Sequence, residues 1–198
     1  MRLLALALWM GLVMIAYISP PTRPDVGEWV RMTMLGYWIG QEAWLVAVFW
    51  LVGLSPLAIA GVLAGDLRAR PVPAWPFVLA GFGVGGFAVI PWLVLSGDGG
   101  RSGPSMPGML RDVGGRRWGI GVGVLSGAAL ACGAWWGDPI GYLSLARSEG
   151  FAFIMSFDFA ALWLATLVMV RRRSRTRGWL LALVPVLGPA LWVALGRR

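Results

Sequence analysis

Six apolar runs dominate the chain, separated by shorter polar, glycine-rich or proline-rich stretches. They are Leu3–Ser19, Ala43–Ala64, Pro76–Ser96, Trp118–Trp136, Phe151–Val170 and Trp179–Leu195. Each is near, or slightly short of, the ~20 residues that carry an α-helix across ~30 Å of hydrocarbon. The pattern predicts an all-α fold, a polytopic transmembrane helical bundle of about six spans in a single integral membrane domain. Arg2 before the first run would suit a signal peptide. Pro20 and Pro21 follow it and no A-x-A site is visible, so a retained span is expected. Between the first two runs, Arg23, Asp25, Glu28 and Arg31 mix with Trp29, Tyr37 and Trp38. That stretch suits either a segment lying at headgroup level or an ordinary loop.

Composition supports lipid as the solvent. Hydrophobic residues make up 58% and charged residues 13%, against about 45–50% and about 25% in soluble domains. All 17 basic residues are arginine, and they cluster at the ends of the runs. That placement fits anionic headgroups and topology control, and no nucleic-acid partner is expected. The absence of His removes His-ligated metals and haem, Ser–His–Asp triads and imidazole relays. No pattern names a cofactor. The glycines of Gly97–Arg117 lack the phosphate-loop spacing. Cys132 is alone in an apolar run and reads as a small hydrophobe.

In a strict six-pass layout, Arg2, Arg68, Arg70, Arg147, Arg197 and Arg198 fall on one side. The other eleven arginines fall on the opposite side, five of them within 171–177. The positive-inside rule makes that second side cytoplasmic, including the Arg-rich loop 171–178, and puts both termini outside. Many of the 13 tryptophans, Trp75, Trp118, Trp135, Trp136, Trp179 and Trp192 among them, sit at run ends and read as an aromatic belt.

Asp158 carries the sharpest chemistry. It lies mid-run, and an Asp at a membrane helix centre costs roughly +3 kcal/mol on insertion scales. Ala161 and Ala165 share its helical face, so a neighbouring helix should pack there. Ser126, Ser55, Thr166 and freed backbone carbonyls are its candidate partners. A neutral Asp158 could donate to such a carbonyl; the functional readings are a proton site or a contact to a cofactor or partner helix. Glu42 lies too shallow to join it. Pro56, Pro91, Pro185 and Pro189 interrupt runs and free the carbonyls of Val52, Phe87, Leu181 and Pro185. Gly119, Gly123 and Gly127, followed by Ala131, form a small-residue ridge, and Gly81 and Gly85 a shorter one.

Gly53 to Pro56, Pro73 to Phe77, Met155 to Phe159 and Val184 to Pro189 together resemble one family of small multi-span membrane proteins of cyanobacteria, other bacteria and plastids. That family has no established biochemical function, so no role carries over. The resemblance implies that Asp158, Pro185 and Pro189 matter, and it points to energy-converting membranes. The expected location is a plasma (inner) membrane or an energy-converting membrane. The expected function is non-enzymatic: an accessory or assembly subunit of a larger membrane complex, such as a photosynthetic or respiratory one. Its partners would be membrane lipid and other membrane-protein subunits. The alternative is a small proton-coupled transporter using Asp158 and the proline-broken helices.

Overall fold

The computed structural model describes residues 2–64, 72–95, 113–174 and 177–196. Among these residues it is all-helical. The elements are α1 (Arg2–Ile18), α2 (Val26–Met34), α3 (Ala43–Val62), α4 (Trp75–Val84), α5 (Gly86–Leu95), α6 (Arg116–Trp136), α7 (Pro139–Ser148) and α8 (Gly150–Arg173). A 3-10 segment (Arg177–Leu183) and α9 (Leu187–Ala194) complete them. Three helices are long and apolar enough to cross a membrane: α3, α6 and α8, of 20, 21 and 24 residues. They match the second, fourth and fifth apolar runs to within three residues at each end. The first run forms the 17-residue α1.

The third and sixth runs do not form continuous helices. The chain breaks between α4 and α5 at Gly85, and between the 3-10 segment and α9 at Val184–Val186. In both places it folds back on itself. Trp92, late in α5, donates its indole N–H to the Val72 carbonyl just before α4, at 2.9 Å. A Cβ on Gly81 would lie 2.6 Å from Val89 Cγ2, which puts the two arms side by side. In the last run, a Cβ on Gly61 would touch Val193 at 3.3 Å, while Arg173 donates to the Val62 carbonyl at 2.6 Å. The chain therefore leaves the end of α3 at Arg173 and returns to it at Val193. Between these points, Ala182 reaches the middle of α8, where its carbonyl accepts from Trp163 Nε1 at 2.9 Å.

Four helices run end to end around these hairpins. Trp44, at the start of α3, packs on Gly133 near the end of α6. Leu57, near the end of α3, accepts a 3.0 Å bond from Trp118 at the start of α6. The two helices are thus antiparallel. The amide of Gly150 donates to the Pro21 carbonyl at 3.1 Å, so α1 ends where α8 begins. Both hairpins enter from the end that holds the start of α6 and the end of α8. Among the described residues that end carries Arg2, Arg116, Arg117, Arg171, Arg172, Arg173 and Arg177, whereas the opposite end carries Arg23, Arg31 and Arg147. A strict alternation of six passes, with the first and fourth loops on opposite sides, does not describe this arrangement. Those loops are bonded together: Arg23 N–H donates to Glu149 at 3.3 Å, and Asp138 N–H to Glu42 at 3.3 Å.

Local chemistry explains the ends. Glu42 caps α3 by accepting from the Leu45 amide at 2.6 Å, and Asp138 caps α7 by accepting from Ile140 at 3.0 Å. The stretch between the first two runs is ordered: α2 presents Trp29 edge-on to Phe49 and Phe151, with ring centroids 5.4 Å away in each case. The aromatic-belt reading fits Trp135 and Trp136, which are exposed. It does not fit Trp192, which is 1% exposed because its half-helix lies inside the bundle. The glycine ridge of α6 is spent within this chain. A Cβ on Gly119 would lie 2.6 Å from the Ala190 carbonyl oxygen, and Gly123 and Gly127 face Leu187. Ridge and half-helix approach backbone to backbone because no side chain intervenes.

Candidate functional site

The tip of the first hairpin and the middle of α8 meet at Asp158. Its carboxyl Oδ1 accepts a 2.8 Å bond from the Gly86 amide, the first N–H of α5. An α-helix starts with amides that lack a partner in the helix, and its N-terminus attracts negative charge. Asp158 supplies an N-cap to α5 from another helix. Two glycines make room for it. Gly85 has φ 57° and ψ −132°, a region open to glycine, and a Cβ there would overlap Asp158 Oδ2. A Cβ on Gly86 would lie 2.6 Å from Oδ1. Asp158 is 5% exposed.

Asp158 is an acceptor here, not a donor to a proline-freed carbonyl. The Phe87 carbonyl, freed by Pro91, takes the indole N–H of Trp9 at 3.2 Å. Leu12 of α1 closes over the same tip, 3.3 Å from a Cβ on Gly86. None of the three hydroxyls weighed as partners is bonded to Asp158. Ser126 donates to Val122, Ser55 to Leu51 and Thr166 to Leu162, each to the carbonyl four residues back at 2.6–2.7 Å. Ser126 is buried on α6, apart from the Asp158 contacts. Glu42 acts as the cap of α3 at the arginine-poor end.

Pro185 and Pro189 shape the second hairpin tip. Val186 adopts φ 57° and ψ −54°, a strained region for a β-branched residue that costs about 1–3 kcal/mol. The Leu187 amide closes a three-residue γ-turn onto the Pro185 carbonyl at 2.6 Å. Gly188 N–H bonds Val184 at 2.9 Å, and the Leu181 carbonyl accepts from the Val184 amide at 3.0 Å. Pro189 has no amide to satisfy. The N-terminus of α9 is thus completed from its own turn, whereas that of α5 depends on Asp158. Val186 packs with Leu51, Leu54 and Phe159, so both tips adjoin the same stretch of α8.

Sequence reasoning missed three groups. Gly85 and Gly86 read as packing glycines; their adjacency within an apolar run was the available signal for a turn. Trp9 gave no signal. Glu149 is 4% exposed and caps α8, accepting from Phe151 at 3.1 Å and Ala152 at 2.7 Å while also holding Arg23. Its position directly before a long apolar run was the clue. Among the described residues no group of three or more His, Cys, Asp or Glu could hold a metal ion. Cys132 is half-buried on α6. Most of the loop Gly97–Arg117 lies outside the described residues, as do Arg68, Arg70, Arg175, Arg197 and Arg198. Comparison with known proteins finds no matching family model, no matching curated protein and no matching solved structure.

Substitution separates the groups. Asp158→Asn keeps an acceptor oxygen for Gly86 and should fold with a small loss. Asp158→Leu orphans that amide and should cost about 1–3 kcal/mol. Gly85→Ala should cost more than about 1 kcal/mol, because backbone and side chain both conflict. Thermal unfolding in detergent should rank the three as Asn above Ala and Leu; equal melting of the Asn and Leu variants would contradict the capping role.

Proposed function

We propose that this chain is an integral membrane protein whose four end-to-end helices cross the bilayer and whose two hairpins enter it from one face. The apolar length of α3, α6 and α8 supports that placement. Backbone breaks at membrane depth are tolerated where protein buries them, and the Gly86, Leu187 and Gly188 amides and the Phe87 carbonyl at the tips are bonded within the bundle. Among the described residues seven arginines lie at the hairpin face, and Arg23, Arg31 and Arg147 at the other. By the positive-inside rule that imbalance supports a cytoplasmic hairpin face. It assigns the hairpin face, with loop 171–178 and both termini, to the cytoplasm of a plasma (inner) or energy-converting membrane.

Within that membrane the protein acts as a non-enzymatic accessory or assembly subunit of a larger complex. The observation that carries this reading is the outward side of α6. The helix buries Gly119, Val122, Gly123, Ser126 and Gly133. It leaves Ile120 and Val124 exposed, with Ala128 and Ala131 open beside them. Small residues on a lipid-facing side let a second helix come close. Extraction in mild detergent followed by native electrophoresis should give a species well above the 21.3 kDa chain, with other membrane proteins in the band. A uniform monomer with no companions would refute the subunit role.

The two breaks beside a lone acid favour a second reading, a small proton-coupled transporter. Discontinuous helices commonly form substrate and ion sites. It requires Asp158→Asn to abolish a pH-dependent flux in liposomes while the protein remains folded; an unchanged flux eliminates it.

Orientation has its own test. In a Cys132→Ala background, Arg172→Cys and Leu195→Cys should react with a membrane-impermeant thiol reagent from the same face, and Ser144→Cys from the other. Labelling of positions 172 and 195 from opposite faces would restore a sixth crossing.

A further inference from the structure

A cavity of about 920 Å³ opens beside the first turns of α6. Val113 to Arg117 line one end, and Leu57 of α3 with Trp118, Gly121, Val122 and Leu125 line the rest, as an open groove in which Gly121 and Leu125 are exposed. The volume lies within the ~300–1,000 Å³ typical of small-molecule sites. Polarity is sorted along its length. Arg116 and Arg117 stand exposed at the mouth and make no ion pair or hydrogen bond among the described residues. Beyond Trp118 the walls are apolar for two helical turns. From Arg116 to Leu125 the helix rises roughly 13 Å. Trp118 is fixed as one wall by its 3.0 Å bond to the Leu57 carbonyl. Gly121 leaves the floor open, since a Cβ there would meet nothing within 4 Å.

A ligand that matches this gradient carries an anionic head and a hydrocarbon tail. We propose that the cavity holds one anionic phospholipid, its phosphate against Arg116 and Arg117 and an acyl chain along Leu57, Gly121 and Leu125. Arginine forks pair with phosphate through short, charge-assisted bonds. The Gly115 cap of α6 offers no side chain that would compete for the anion. A headgroup-binding mouth on the hairpin face also matches the leaflet where anionic lipid concentrates. The site rests on the membrane placement proposed above, but not on the subunit role. Release of the chain by alkaline carbonate without detergent would overturn the placement, a result separate from any lipid measurement.

The test uses the whole chain in mild detergent, stripped of lipid and titrated with phosphatidylglycerol or phosphatidylcholine under native mass spectrometry. Phosphatidylglycerol should saturate one tight site that phosphatidylcholine does not fill. Arg116→Gln with Arg117→Gln should weaken it about tenfold or more, the equivalent of losing one charge-assisted contact. Arg172→Gln with Arg177→Gln removes the same charge elsewhere on that face and should leave binding unchanged. Gly121→Leu has room to fold and should block the tail. Equal retention of both lipids, indifference to the Arg116 and Arg117 changes, or full displacement by glycerol 3-phosphate alone would each overturn the proposal. The last outcome would leave an anion site without a tail.

Discussion

The bond from the Gly86 amide to the Asp158 carboxyl joins two elements far apart in sequence and adds a fixed polar contact to the apolar cluster they share. A helix that begins inside a bundle exposes amides where water cannot serve them, and each unmet group costs about 1–3 kcal/mol. Asp158 meets the first amide of α5, and in doing so fixes the height at which the first hairpin stops. Its own burial is made tolerable by the same contact. The glycine pair at the tip follows from this geometry, since any side chain at either position would occupy the carboxyl's space. The opposite hairpin solves the same problem differently. There a proline removes one amide and a strained turn at Val186 collects the others, so no acid from another helix is needed.

Much of the fold was legible in the sequence and the hairpins were not, for one physical reason. Hydropathy reports how many apolar residues follow one another, and two ten-residue helices folded back have the same count as one crossing. Ala43–Ala64, Trp118–Trp136 and Phe151–Val170 were placed closely because each is one uninterrupted helix. Pro76–Ser96 and Trp179–Leu195 were read as crossings on length alone. Pro91, Pro185 and Pro189 signalled irregular backbone, but proline marks a bend without giving its angle. At the site, Asp158 stood out in the sequence as an acid within an apolar run. Its partner could not be named, because a backbone amide has no letter in the sequence. The arginine count rested on the same assumption of six alternations; with the hairpins folded back, Arg2 falls at the same end as Arg116, Arg117 and Arg171, and Arg23, Arg31 and Arg147 at the other.

The arrangement also separates what is internal from what faces outward. The ridge Gly119–Gly123–Gly127 is consumed by α9, so it offers nothing to a second protein. The opposite side of α6 keeps Ala128 and Ala131 uncovered. A glycine pattern alone cannot say which of two faces is taken; the position of the half-helix decides it.

Trp9 gives the tip a further consequence. It serves the carbonyl that Pro91 frees, 78 residues later in the chain, while Asp158 serves the Gly86 amide from 72 residues beyond it. The hairpin therefore draws its polar partners from α1, made before it, and from α8, made well after it. Until α8 emerges, the bend has one hand to hold and not the other. Its final seating must come late in biogenesis, after most of the surrounding wall is already standing.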